Sequence, residues 1–252
     1  EEIRQVSDAG KGEEYWNVGD AKEIVINGTI GSTTINMKVW AFIIGFNHNS
    51  DIEGANRIHF QIGMNSSGGD TICFCEKKYG SYQSANGSFT MNPAASSGES
   101  TSIGGWEDCY MRNTLLGSAN PPTSPAAGTF MSALPSDLRS VMKSCTKYTN
   151  NASRSNSPSS VTATIEYLWL LSECETVGAT SARFSNSTEP KYQQIYQYYR
   201  KSGYPGVFRE HTSPAPTREW WLRSTYHALA GYFASIDRGG RSTSTPSGKS
   251  LG

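Results

Sequence analysis

The chain has 252 residues and no formal net charge at pH 7, so it is long enough for a large domain but lacks the basic surface that nucleic-acid binding requires. No apolar run approaches the ~20 residues that span a bilayer, so membrane insertion is not expected either. Aromatic residues reach 11% although apolar residues make up only 36%, which favours a core of large rings joined by polar loops.

The order of the predicted elements favours one α+β domain. Residues 1–20 are charged and predict a loosely held N-terminal segment, and a single domain follows over 21–252. Its first part, 21–80, is rich in β-forming residues. Asn27-Gly28 predicts a hairpin turn, and the apolar alternation over 33–46 predicts a long strand.

The middle of the chain carries the two clearest helical patterns. A short helix is predicted over 106–116, and a longer one over 135–148, where apolar residues recur at helical spacing. Residues 161–172 predict a strand with a buried LWLL centre. Two short strands, 220–223 and 232–236, follow, and strands before and after a helical middle indicate an α+β fold.

Histidines and sequence motifs give no sign of an enzyme. Nucleophile-elbow, P-loop, zinc-protease and dinucleotide-binding motifs are absent. His59 lies on the polar face of a short alternating strand, which favours a structural hydrogen bond over catalysis. His48 lies in a polar turn, where a metal or ligand role stays open. We predict no catalytic residue, no metal and no cofactor.

Acidic residues and cysteines are also interpreted as structural. Glu173 and Glu175 resemble a catalytic carboxylate pair, but solvated charges at the end of a strand explain them as well. Five cysteines at scattered positions argue against a disulfide framework. Cys73 and Cys75 share one strand face, and small buried thiols are the simplest interpretation.

Four short motifs occur in order: GGW at 104–106 with Met111-Arg112, LPSDL at 134–138, LWLLSE at 168–173 and WWLRS at 220–224. Together they resemble a domain family of gut bacteria and their phages that carries the WWLRS signature. The resemblance implies a C-type-lectin-like fold, related to formylglycine-generating enzymes, with two main helices around a small twisted antiparallel sheet. Members usually continue into a closing GVRP strand at the point where this sequence ends.

Some members of that family are the variable proteins of diversity-generating retroelements. In these, WWLRS opens a C-terminal segment whose asparagine codons are mutated at adenines, which cannot produce Lys, Glu, Gln, Met or Trp. These five residue types make up 43 of the 252 residues, yet 225–248 contains none where about four would be expected. The resemblance therefore implies that 225–248 is a variable recognition segment.

Side chains in this segment have the composition of binding loops, with rings and arginines among small polar residues. The candidate ligand-binding residues are Tyr226, His227, Leu229, Tyr232, Asp237, Arg238, Arg241, Thr243 and Thr245. We expect a non-enzymatic ligand- or receptor-binding protein on a phage tail or a bacterial cell surface. Its partner would be a protein or glycan of a host cell or the environment, and homo-oligomerisation stays open.

Two alternatives belong to other classes of protein. One is an oxidase similar to formylglycine-generating enzymes, which needs a pair of reactive C-terminal cysteines, whereas the last cysteine here is Cys174. The other is a purely structural virion or adhesin domain.

Overall fold

The computed structural model describes residues 2–74, 87–93, 101–202, 208–209 and 217–251. Within these residues the strands are β1 (Ala21–Ile30), β2 (Thr33–Phe46), β3 (Ile58–Met64), β4 (Cys145–Asn150), β5 (Val161–Glu166), β6 (Phe208–Arg209), β7 (Thr217–Arg218), β8 (Trp220–Thr225), β9 (Tyr232–Ile236) and β10 (Ser242–Pro246). The α-helices are α1 (Glu2–Asp8), α2 (Gly12–Tyr15), α3 (Ser50–Glu53), α4 (Gly105–Asp108), α5 (Phe130–Ala133), α6 (Ser136–Arg139), α7 (Glu173–Val177) and α8 (Gln197–Ser202).

These strands form four antiparallel sheets. The N-terminal sheet has the order β1-β2-β3, the C-terminal sheet has the order β10-β9-β8, and two-stranded sheets join β4 to β5 and β6 to β7. No helix in this part of the chain is long and apolar enough to cross a membrane.

The predicted fold of two main helices around a small twisted antiparallel sheet, as in C-type-lectin-like proteins, is wrong. Among the described residues the longest helix, α1, has only seven residues, and the strands form several small sheets. Although the helical spacing of apolar residues continues to Cys145, the predicted helix over 135–148 is wrong beyond its first turn, α6. Beyond it, Cys145, Lys147 and Thr149 are buried alternately with their neighbours, which is the period of a strand.

The N-terminal sheet confirms the predicted strand 33–46 as β2, but the predicted hairpin turn at Asn27-Gly28 is wrong. Strand β1 runs through these residues, with Gly28 opposite Ile35, and the chain turns only at Gly31. A Cβ atom on Gly28 would lie 3.0 Å from the Cβ of Ala133. Glycine is therefore present because α5 packs directly against the strand.

The C-terminal sheet is covered on both faces. Trp221 and Phe233 pack into the main hydrophobic core. The opposite face joins a second core through Trp220, Leu222, Ala234 and Ile236. Only the ends of this sheet and the edge strand β10 therefore reach the surface.

The predicted strand over 161–172 is shorter than expected. Strand β5 ends at Glu166, and the LWLL segment that follows is irregular and half-buried from Leu168 to Leu170. Its apolar side chains line a cavity instead of forming the centre of a sheet.

Candidate ligand-binding surface and its buried support

Four loops meet at one end of the C-terminal sheet, where β8 ends and β9 begins. They comprise residues 101–104, 151–157, 184–188 and 226–231, and we call them the four-loop surface. The N–H of Gly231 donates to Ser102 Oγ at 3.1 Å, and Ser102 Oγ is 2.9 Å from Ser153 Oγ. The first, second and fourth loops are therefore joined directly.

The third loop is held in the same way. The N–H of Ser187 donates to Asn156 Oδ1 at 2.7 Å, and the N–H of His227 donates to Phe184 O at 2.9 Å. Hydrogen bonds between loops restrict their backbones before any ligand arrives, which lowers the entropy cost of binding.

Apolar side chains project from this ordered surface. Ile103 is 76% exposed and Leu229 is 47% exposed, and they rank among the most exposed large hydrophobic side chains of the described residues. Both lie within two residues of the Gly231–Ser102 hydrogen bond. Tyr226 of the fourth loop is half-buried and packs edge-on against Phe184 of the third, with 5.1 Å between ring centroids. Neighbouring exposed apolar groups on fixed loops are typical of a contact surface.

The structure places three of the nine predicted binding residues in the four-loop surface: Tyr226, His227 and Leu229. One ring nitrogen of His227 is already engaged within the protein, because its Nδ1 lies 2.9 Å from Phe184 O. Sequence reasoning missed Ile103 entirely. It lies in a polar, glycine-containing loop, and nothing local indicates that this loop meets residues 226–231.

Three other predicted residues lie at the opposite end of the sheet, in the turn between β9 and β10. Asp237 Oδ1 accepts the N–H groups of Gly239 and Arg241, both at 2.8 Å, so this carboxylate orders the turn itself. Arg238 and Arg241 are exposed there. A five-residue strand separates the two ends by about 17 Å, so the nine residues do not form one continuous patch.

The remaining three predicted residues lie along the strands. Tyr232 and Thr243 are half-buried, whereas Thr245 is buried. Thr245 Oγ1 hydrogen-bonds to Glu219 and lies 3.0 Å from Ser235 Oγ. These contacts indicate that Thr245 holds the edge strand in place.

Strand β8 leads directly into the four-loop surface, and a buried arginine anchors it. The guanidinium of Arg223 donates to both carboxylate oxygens of Glu175, at 2.5 and 3.0 Å, and to Thr149 Oγ1 at 2.8 Å. Burial alone would raise the pKa of Glu175, but Arg223 and Lys147 outweigh burial and hold this pKa far below its usual value.

The next two residues of β8 have buried partners of their own. Ser224 Oγ donates to Glu189 Oε2 at 2.8 Å, and Thr225 Oγ1 donates to Asn150 O at 3.2 Å. Three consecutive residues before Tyr226 are thus fixed to three different parts of the chain.

Lys147 extends this buried network to the N-terminal sheet. Its ammonium nitrogen lies 2.7 Å from Glu53 Oε2 and 3.0 Å from Glu175 Oε1, and it sits 4.6 Å from the centre of the Trp169 ring. Two carboxylates, Lys147 and Arg223 therefore balance one another's charge inside the protein.

The prediction that Glu173 and Glu175 are solvated is wrong, because neither is exposed. Glu175 belongs to the charged network, and Glu173 accepts the N–H groups of Phe184 and Ser185 at 2.9 and 2.7 Å. A local signal for the start of α7 existed, although it does not indicate burial. Ser172 and Glu175 form a capping box at the start of α7, the S-x-x-E pattern that begins many helices.

One buried cluster has the spacing of a metal centre: the ligand atoms of His48, Glu53 and His59 lie within 4.8 Å of one another. His48 Nδ1 is 3.1 Å from Glu53 Oε1, but the ammonium of Lys147 already lies against the other oxygen of Glu53. A divalent ion would add two charges next to a cation whose charge is balanced. The arrangement fits a hydrogen-bonded core better than a metal site.

Cys145 lies next to a histidine but is not an activated nucleophile. Cys145 Sγ lies 3.9 Å from His59 Nε2, but burial raises the pKa of Cys145 to about 11, so the thiol keeps its proton at neutral pH. Cys73, Cys109 and Cys174 are buried too, in agreement with the interpretation of buried thiols. Cys75 lies outside the described residues.

The fold and this surface define a sheet-rich domain that presents ordered loops above a buried charged network. The sequence profile of a domain of unknown function, DUF6273, matches residues 87–249, which is more than half of the chain. The chain therefore belongs to the DUF6273 family. No curated protein and no solved structure matches it. The matched region contains all four loops and the C-terminal sheet, but not the N-terminal sheet.

Proposed function

We propose that this protein is a non-enzymatic ligand-binding protein that contacts its ligand through the four-loop surface. The observation that supports this most directly is the exposure of Ile103 and Leu229 on loops that are hydrogen-bonded to one another. The fourth loop continues from a fully buried strand, β8, and the other three are hydrogen-bonded to it or to one another, so the surface is preorganised. Apolar side chains held in this way gain contact area on binding without a large loss of chain entropy.

The proposal includes display on a phage tail or a bacterial cell surface, with a protein or glycan of a host cell or the environment as ligand. It also includes diversification of 225–248. Burial limits which positions could vary, because the side chains over 233–236 are packed in the two cores. Variation would therefore concentrate at 226–230, 237–239 and 241.

Sequencing the gene in sibling isolates tests the diversification. We expect amino-acid changes to cluster at the exposed positions of 226–241, while the buried residues of β8 and β9 stay the same. Even drift along the whole chain would contradict the proposal and favour a purely structural domain.

Binding measurements test the surface itself. Arrays of glycans and of bacterial surface proteins would be screened with the labelled protein, and any specific ligand titrated against the double variant Ile103→Ser/Leu229→Ser. We expect its affinity to fall at least about tenfold, because two central apolar contacts are lost. The control is Ile165→Ser, since Ile165 is 61% exposed on β5 outside the four-loop surface. Equal binding by the double variant and the control would contradict the proposed surface.

A further inference from the structure

A cavity of about 710 Å³ lies between the N-terminal sheet and the segments 134–145 and 167–171. Its apolar walls include Ile58, Phe60 and Ile62 of β3 and, opposite them, Leu138, Met142 and Trp169. The volume falls within the ~300–1,000 Å³ typical of sites for small organic molecules, which are mostly apolar with a few placed polar groups. None of these six residues belongs to the four-loop surface.

His59 supplies a polar group in the wall of this cavity, and its partners define where its proton lies. Tyr196 OH is 2.9 Å from Lys147 Nζ and 2.9 Å from His59 Nδ1. An ammonium can only donate, so the tyrosine oxygen accepts from Lys147, and donation of the tyrosine's own proton to His59 Nδ1 is the assignment that leaves all three groups paired. Burial, with Lys147 nearby, lowers the pKa of His59 well below its usual value, so the ring is neutral and carries its proton on Nε2.

The N–H group at Nε2 is poorly satisfied. Its partner is Cys145 Sγ at 3.9 Å, and a thiol sulfur is a weak acceptor even at shorter distance. His59 and Cys145 both line the cavity. An apolar cavity thus contains a buried donor that a better acceptor could engage, which is the arrangement that orients small ligands.

We infer that this cavity binds a small, uncharged and largely apolar molecule whose carbonyl or ether oxygen accepts a hydrogen bond from His59 Nε2. Charged side chains of both signs also line the cavity, among them Lys22, Glu23 and Arg57, so they favour neither sign of ligand charge, whereas the apolar walls favour an uncharged ligand. The site is separate from the four-loop surface, so it does not depend on the proposed function.

Two fluorescent dyes test the site: Nile red, which is uncharged and has a ring carbonyl, and diphenylhexatriene, a hydrocarbon without an acceptor. We expect the full chain to bind each dye saturably, with one molecule per chain. The cavity-filling variant Ile62→Trp/Leu138→Trp should weaken both at least about tenfold, because the side chains occupy the space of the dye. The control Ile165→Trp places a tryptophan on an exposed position of β5, outside both the cavity and the four-loop surface, and should bind like the unaltered protein.

The variant His59→Phe tests the hydrogen bond. Nile red should bind about three- to tenfold more weakly, the range that one neutral hydrogen bond is worth, and diphenylhexatriene should bind equally well. Equal loss of both dyes would overturn the role of Nε2. Absence of saturable binding to the unaltered chain, or equal binding by the cavity-filling and control variants, would overturn the site. If circular dichroism shows that His59→Phe is unfolded, the tryptophan variants still decide the question.

Discussion

Replacing Arg223 with methionine is expected to lower the free energy of unfolding by about 3–5 kcal/mol, as removal of one partner from a buried ion pair generally does. Arg223 is completely buried and donates to both oxygens of Glu175. Methionine fills much of the volume but leaves this carboxylate with Lys147 as its remaining cation. The stability is lost because Glu175 must then stay charged with less compensation or take up a proton.

Urea denaturation at pH 7, followed by circular dichroism, measures this loss. Arg241→Met is the matched control, because Arg241 is exposed and its replacement should change stability by no more than about 0.5 kcal/mol. A similar, small effect of both substitutions would show that the buried network does not support β8.

The predicted strands 33–46, 220–223 and 232–236 correspond to the strands β2, β8 and β9. Strand β2 follows its predicted bounds, since alternation of apolar residues is a local signal. The hairpin signal of Asn27-Gly28 is local as well, but here a tertiary contact decides the role of the glycine. The space that α5 needs against β1 cannot be inferred from the dipeptide.

The charged network could not be predicted, because its members are far apart in the sequence. Lys147 and Glu175 are separated by 28 residues, and Glu53 comes from a short helix of the N-terminal part. A single Lys or Glu in a sequence is normally solvent-exposed, so Glu175 was interpreted as a surface charge, and no local signal marks Lys147 or Glu53 as buried. Only the fold shows that each charge has an opposite partner.

Only part of the candidate surface could be predicted, because its loops are also far apart in the sequence. Residues 226–231 follow the WWLRS motif, so their position next to a buried strand could be inferred from the chain itself. Ile103 joins them only because the N–H of Gly231 donates to Ser102. Contacts between loops this distant in sequence follow from packing, which no local pattern encodes.

Between pH 4.5 and pH 7, Glu189 is expected to make the protein less stable as pH rises. Its carboxyl group is completely buried beside Asn150 and Ser224, and burial raises the pKa of Glu189 to about 7 from an ordinary value of 4.5. In this window the unfolded chain loses the proton while the folded protein keeps it, so unfolding is favoured as pH increases. The full effect is about 3 kcal/mol, and it is constant above pH 7.

His59 acts in the opposite direction, so Glu189 must be isolated by comparison. The pKa of His59 is lowered by burial, and its neutral form therefore contributes stability that is lost as pH falls below 6.5. In the variant Glu189→Gln, the side-chain amide cannot ionise, but its oxygen can still accept a hydrogen bond from the N–H of Asn150. Denaturation of both proteins at several pH values should show the unaltered chain losing about 3 kcal/mol relative to the variant between pH 4.5 and 7.5. A difference that is constant or increases with pH would mean that Glu189 is ionised in the folded protein, and that the carboxylate beside Ser224 is stabilised by its hydrogen bonds instead.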